Sequence, residues 1–147
     1  MYEPYSSQAL PSKEYRELLG TAVCVFNSNN QFVIENILHC GYTKSWYKLI
    51  DKMSGNLRED IKKTISKNSN KYIEELFVDL VKMRNRIMHS FQCTYNTIHG
   101  KEQILRTKDD TDKQYYISKC YLYYFIKKNE KLSRMLYEFR EKNKSKN

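Results

Sequence analysis

Three side chains in the segment Val81-Lys82-Met83-Arg84-Asn85-Arg86-Ile87-Met88-His89-Ser90-Phe91 could do chemistry together: Arg84, Asn85 and His89. The ordinary pKa of histidine lies near working pH, so His89 can take or give a proton. Arg84 offers a fork of N–H donors that grips anionic oxygens two at a time. Asn85 can orient a ring or bind an oxygen. A proton carrier beside a fixed cation suits displacement at a phosphate, where acid, base and charge stabilisation are all needed.

The segment ends a long helix predicted from Asn70 to Phe91, with Ile73, Leu76, Phe77, Leu80, Val81, Ile87, Met88 and Phe91 at helical spacing. With about 100° per residue and Ile73 at zero, Phe77, Leu80, Met88 and Phe91 fall within roughly 60° of that direction. Arg84 falls at roughly 20°, the middle of the apolar stripe. A guanidinium there cannot shed its charge, and burying it unpaired costs several kcal/mol. Either Arg84 pairs with a buried acid, Glu35 being a candidate, or the stripe opens onto a cleft that receives an anion. Asn85 and His89 lie on the neighbouring face, at roughly 120° and 160°. Arg84 and His89 diverge by roughly 140°, so one straight helix cannot aim both at one atom without long side chains, a kink or a second copy. A two-fold dimer with two such helices side by side would gather both sets in one cleft.

The other elements also read as helices. Only 4 Gly and 2 Pro punctuate the 147 residues, and both prolines precede residue 12. Residues 1–11 form an irregular lead-in, and Ser12 caps a helix with Tyr15, Leu18, Leu19, Ala22 and Phe26 on one stripe. Asn27-Ser28-Asn29-Asn30 predicts a break or kink, followed by a second helix from Gln31 to His39 that Gly41 stops. Ser45–Met53 is a short helix, and Asn56 caps Leu57–Lys67, whose thin apolar face of Leu57, Ile61 and Ile65 places it on the outside. Periodicity fails over 92–118, where Lys108-Asp109-Asp110-Thr111-Asp112 makes a turn; a small β-hairpin near 102–118 or a mobile loop fits that stretch. A last helix from Lys119 carries Tyr121, Tyr124, Phe125, Leu132, Leu136 and Phe139. The expected architecture is an all-α bundle of five to six helices in one domain, 12–143, with a frayed basic tail at 144–147.

Composition narrows the function classes. There are 26 Lys plus Arg against 17 Asp plus Glu, a formal charge of +9, which favours phosphate-rich partners through counterion release. The longest strictly apolar stretch, Ala22–Phe26, is far short of a membrane span, so no membrane partner is expected. Met1–Tyr15 has no basic-then-apolar secretory pattern, and the expected location is cytoplasmic, with reduced thiols. Cys24, Cys40, Cys93 and Cys120 form no Cys-x-x-Cys pair, and each is expected to pack in the interior. His39 and His99 are expected at the surface, with Tyr121 and Tyr124 in the core. Tyr115, Tyr116 and Tyr123 are free to stack bases. Arg86 and Lys82 are weaker candidates for steering RNA, and no metal or other cofactor is expected.

Arg84-Asn85-x-x-x-His89, late in a long helix of a small helical protein, resembles the HEPN family. The resemblance covers roughly residues 12–140, although only this motif is specific. It implies a helical bundle that often dimerises through this helix, here 70–91, and a metal-independent endoribonuclease of toxin or antiviral-defence type. Arg84 and His89 would be catalytic, and Asn85 would be the polar residue that often follows the arginine. The 2′-hydroxyl of RNA would attack the adjacent phosphorus, leaving a 2′,3′-cyclic phosphate and a 5′-hydroxyl. Toxicity implies an inhibitory antitoxin or regulatory protein as a further partner. One branch of the family carries a tyrosine two residues after the histidine; Phe91 stands there, without the hydroxyl that modification of that tyrosine needs. The alternative is a catalytically inactive HEPN-like module that binds RNA, nucleotide or a protein partner.

Overall fold

The computed structural model describes residues 2–3 and 5–144. Helix α1 (Lys13–His39) begins where expected, with the Ser12 hydroxyl accepting from the Tyr15 N–H at 3.2 Å. It ends at Gly41, whose φ of +73° favours glycine. The predicted break at Asn27–Asn30 is absent, and α1 is one continuous helix. Asn29 and Asn30 bond partners on other elements instead of their own backbone. Asn29, 5% exposed, donates to the Asn129 carbonyl at 2.8 Å and to its side-chain oxygen at 3.1 Å. Asn30 accepts from the Ser54 hydroxyl at 2.8 Å. An asparagine satisfied across a helix seam no longer competes for its own backbone.

Helix α5 (Lys119–Lys144) lies beside α1, and the two run parallel. Glu14 pairs with Lys119, Phe26 stacks on Phe125, Asn29 meets Asn129, Phe32 meets Tyr137 and Glu35 pairs with Arg140, so both helices climb together. Parallel neighbours need a long return path. Helix α4 (Tyr72–Met88) supplies it by running antiparallel to α5: Lys128 pairs with Asp79 lower on that path, and the Tyr121 hydroxyl donates to the Met83 carbonyl at 3.2 Å nearer its end.

Between α1 and α4 come α2 (Trp46–Ile50), a 3₁₀ turn Ser54–Leu57, α3 (Arg58–Ile61) and a wide π-type turn Lys62–Ser66. The expected helix over Leu57–Lys67 is present as one helical run, 58–68, but it is entered through the 3₁₀ turn without a cap from Asn56 and widens to π geometry in its middle. Its expected apolar face, Leu57, Ile61 and Ile65, is 0% exposed. A narrow apolar face suffices because the π turn and α3 present it together to α1 and α4. Two buried acids hold this layer. Asp60, 1% exposed, accepts from Tyr42 at 2.7 Å, Lys44 at 3.0 Å and Lys52 at 2.5 Å. Glu74, 5% exposed, accepts from Arg58 at 3.1 Å and Ser66 at 3.0 Å.

The chain then leaves helical structure earlier than the periodicity suggests. Phe91 starts a strand, and the region is a three-stranded antiparallel sheet, β3-β4-β5, which goes beyond the predicted hairpin. Its strands are β3 (Phe91–Thr97), β4 (Gly100–Lys108) and β5 (Gln114–Ile117). A short pair, β1 (Tyr2–Glu3) with β2 (Gln8–Ala9), replaces the irregular lead-in, and the Gln92 amide donates to the Ala9 carbonyl at 2.7 Å. The Tyr15 hydroxyl ties the sheet to α1, donating to the Ile117 carbonyl at 2.6 Å and accepting from the Leu105 N–H at 3.4 Å. Helix α5 reaches Lys144, and the rest of the predicted tail, 145–147, lies outside the described residues. Cys24 and Cys120 are exposed, not interior, because both fall outside the stripes of α1 and α5. Tyr124 is 58% exposed, with Lys128 over its ring, whereas Tyr121 is half-buried as expected. No helix of the described residues is long and apolar enough to cross a membrane.

Two stability outcomes follow from the buried polar groups. Asn29→Leu leaves the buried Asn129 side-chain oxygen without its donor and is expected to destabilise the protein by about 2 kcal/mol. Adding Asn129→Leu should recover most of that loss in urea unfolding; an additive second loss would show that the pair contributes more than mutual satisfaction. Burial alone raises the Asp60 carboxyl, but the hydrogen bonds from Lys52, Tyr42 and Lys44 outweigh it and hold the group at about 2. A depressed folded pKa means stability that is complete above the ordinary carboxylate value and lost as pH falls. The gap between wild type and Asp60→Asn, up to about 2 kcal/mol at pH 6, should therefore close between about pH 4 and pH 2. A gap that stays constant over that window would remove the ion cluster from the explanation.

Candidate functional site

The end of α4 faces the sheet, and there the sequence places its three chemical residues. Arg84 is half-buried, and its Nε is shielded from solvent with no hydrogen-bond partner. Its guanidinium carbon sits 5.1 Å from the centre of the Phe26 ring. Phe26, 2% exposed, is itself held between Phe77 at 6.3 Å and Phe125 at 6.1 Å. The arginine is thus laid on the aromatic centre of the core. A ring face attracts a cation by roughly 0.5–2 kcal/mol, but it does not neutralise it. Burial pushes the Arg84 guanidinium below its ordinary pKa.

Of the two sequence readings, the paired one is absent among the described residues. Glu35 accepts instead from Arg140 at 3.4 Å, and Arg84 has no ion-pair partner. The sequence had no means of choosing: Glu35 is on the correct helix, but the parallel register presents it to α5.

Asn85 is half-buried, and its backbone carbonyl accepts the His89 N–H at 2.9 Å, the last regular bond of the helix. His89 is the C-cap, with φ −99° and ψ 28°, and its side chain is exposed. Ser90 then closes the end, with its N–H and hydroxyl both donating to the Ile87 carbonyl, at 3.3 Å and 2.6 Å. This double use of Ile87 explains why Phe91 does not continue the helix. It also corrects the apolar stripe: Met88 is 56% exposed and Phe91 47% exposed, while Ile87, at 5%, carries the packing. Within one chain, no side-chain hydrogen bond among the described residues joins Arg84, Asn85 and His89.

The two weaker candidates separate. Arg86 donates to the Lys108 carbonyl at 2.7 Å and so pins the β4–β5 turn against α4. Lys82 is exposed on the opposite side of α4, roughly 160° from Arg84. It lines a cleft of about 650 Å³ together with Glu74, Glu75, Asp79 and Lys131. His39 and His99 are exposed, as expected.

Two residues that the sequence did not single out belong to this region. Phe26 is the seat of Arg84, and its only signal was a place on the α1 stripe. Arg106 on β4 repeats the Arg84 arrangement, with a shielded, unpartnered Nε and a guanidinium 5.0 Å from the Tyr116 ring. Among the described residues, no group of three or more His, Cys, Asp or Glu side chains is placed to hold a metal ion. Comparison with family models, with curated proteins and with solved structures gave no match.

An unneutralised, desolvated cation is a cost to the fold unless a ligand uses it. Arg84→Met keeps the packing against Phe26 and removes the charge, so it is expected to raise unfolding stability by on the order of 1 kcal/mol. A clear loss of stability in urea or thermal unfolding would show instead that the guanidinium serves the fold.

Proposed function

We propose that this protein is a metal-independent endoribonuclease of the HEPN type, acting as a toxin or antiviral-defence effector. One observation carries the reading: Arg84 lies within the packed stripe of α4 with a shielded Nε and no carboxylate partner among the described residues, as an anion-holding group would. His89, one turn on and open to solvent, is the proton carrier. Arg84 grips the nonbridging oxygens of the scissile phosphate as negative charge develops there. His89 takes the proton from the attacking 2′-hydroxyl or returns one to the leaving 5′-oxygen. Asn85 orients His89 or binds phosphate. The products are a 2′,3′-cyclic phosphate and a 5′-hydroxyl.

Because Arg84 and His89 diverge on one helix, the working unit of this proposal is a homodimer through the helix of residues 70–91. Two copies then supply two histidines to one cleft, one as base and one as acid. Met88, 56% exposed at the end of α4, is available to that interface. A toxin of this kind requires an inhibitory antitoxin or regulatory protein. The separation of His89 from Arg84 within the single chain favours a second reading, an inactive module that binds RNA, nucleotide or a protein partner at the same surface.

RNA incubated with the wild-type protein in excess EDTA should be cut to fragments ending in cyclic phosphate. His89→Ala and Arg84→Ala, checked for folding by circular dichroism, should each lose on the order of a hundredfold or more in rate. Cleavage that persists in a folded His89→Ala protein would sink the mechanism. Saturable binding with no new ends would select the inactive module.

A further inference from the structure

The β3-β4-β5 sheet carries a second arrangement that the reaction above leaves unused. Phe91 pairs with Arg106, and Arg106 with Tyr116, so these three form one row across the sheet. Tyr95 is two strand steps of two residues beyond Phe91 and therefore shares its face. Its ring meets Tyr116 edge-on, with centres 4.9 Å apart. The opposite face is the packed one, with Ile117 0% and Thr107 1% exposed. On the open face Phe91 is 47%, Tyr95 39% and Tyr116 38% exposed. Arg106 lies at its centre, stacked on Tyr116, with a shielded Nε that bonds nothing and no carboxylate partner among the described residues.

We infer that this face is a stacking platform for single-stranded RNA, with bases laid on Tyr116, Tyr95 and Phe91 and a phosphate or base oxygen held by Arg106. The inference rests on the ribonuclease reading for its substrate class, and it adds the strand form of that substrate and the residues that grip it. Every base has a π face, so rings recognise unpaired nucleotides with little regard to sequence, and a duplex hides those faces. A guanidinium at the centre of the patch complements phosphate and disfavours an apolar protein surface, and the chain as a whole carries +9. Glu102, the cross-strand partner of Tyr95, is the only carboxylate on the three strands; it accepts from exocyclic base amines and repels phosphate at the far end. The platform is also continuous with the candidate site. Phe91 follows His89 by two residues, so their Cα atoms are no more than about 7.6 Å apart. A strand lying on the sheet is thereby led to the histidine.

The test uses the full chain carrying His89→Ala, so that RNA is not consumed, and a 5′-fluorescein uridine 12-mer read by anisotropy. The single strand should bind more tightly than the same strand annealed to its complement. Tyr95→Ala and Tyr116→Ala should each weaken binding by about tenfold, and Tyr95→Phe and Tyr116→Phe should restore it. Arg106→Gln should weaken binding and flatten its salt dependence by about one unit of slope. If an alanine variant does not fold, 4-thiouridine in the 12-mer reports without it, with crosslinks expected on peptides containing Phe91, Tyr95 or Tyr116. Duplex binding as tight as single-strand binding, unchanged affinity in folded alanine variants, no binding, or crosslinks confined to other elements each overturn the platform. The two readings fail separately. Ring-dependent binding with no cleavage by wild type removes the nuclease and keeps the platform, whereas cleavage with ring-independent binding does the reverse.

Discussion

The parallel seam between α1 and α5 is the constraint on which the remaining structure depends. At its middle, Asn29 and Asn129 are buried, and the Asn29 amide meets the Asn129 oxygens in one register only. The Asn129 amide is held within its own helix by the Phe125 carbonyl. A slip of one turn would nevertheless take the buried Asn29 amide away from its acceptors and leave the Asn129 side-chain oxygen without its donor, a cost that weighs heavily on a marginally stable domain. Fixing that register also aligns Phe26 with Phe125 and Glu35 with Arg140. Because the two helices climb together, everything between them has to come back down. Helix α4 makes that descent, so its C-terminal end arrives where α1 and α5 begin, and the sheet fills that end of the bundle. The meeting of Arg84, His89 and the sheet is thus a consequence of the seam.

Charges inside the molecule are treated in two different ways. Asp60 is surrounded by Tyr42, Lys44 and Lys52, and Glu74 by Arg58 and Ser66, so both oxygens of each buried acid are met by donors. These acids organise the irregular layer between α1 and α4. Arg84 and Arg106, at the sheet end, have only aromatic faces beneath them. A ring supports a guanidinium from one side and leaves its edge unanswered. The acids therefore serve the fold, while the two arginines leave positive potential unspent where α4 gives way to β3.

The junction itself is a small piece of capping chemistry. Ser90 takes the Ile87 carbonyl with both its N–H and its hydroxyl, ending α4 at Met88 and turning the chain into β3. His89 is held at the cap by its backbone, through Asn85, while its ring stays in solvent. A helix that continued through Phe91 would have buried Phe91 on the stripe; the strand instead lays it beside Arg106.

Residue spacing alone established the helical character of the chain, the Ser12 cap, the stop at Gly41, most of the core and the anomaly at Arg84. These depend on residue spacing within one element, which periodicity reports directly. The packing of elements against one another settled the rest. The asparagines at 27–30 looked like a break because their preference for their own backbone is local, and at Asn29 and Asn30 it is overridden by Asn129 on α5 and by Ser54. The sheet was only partly visible because β3 begins with Phe91, which the helical stripe had claimed. The fate of Arg84, seated on Phe26 while Glu35 turns to Arg140, was open in the sequence because a charge and its partner can lie on elements far apart in the chain. Their distance is set by how helices pack, and no spacing along one helix encodes it.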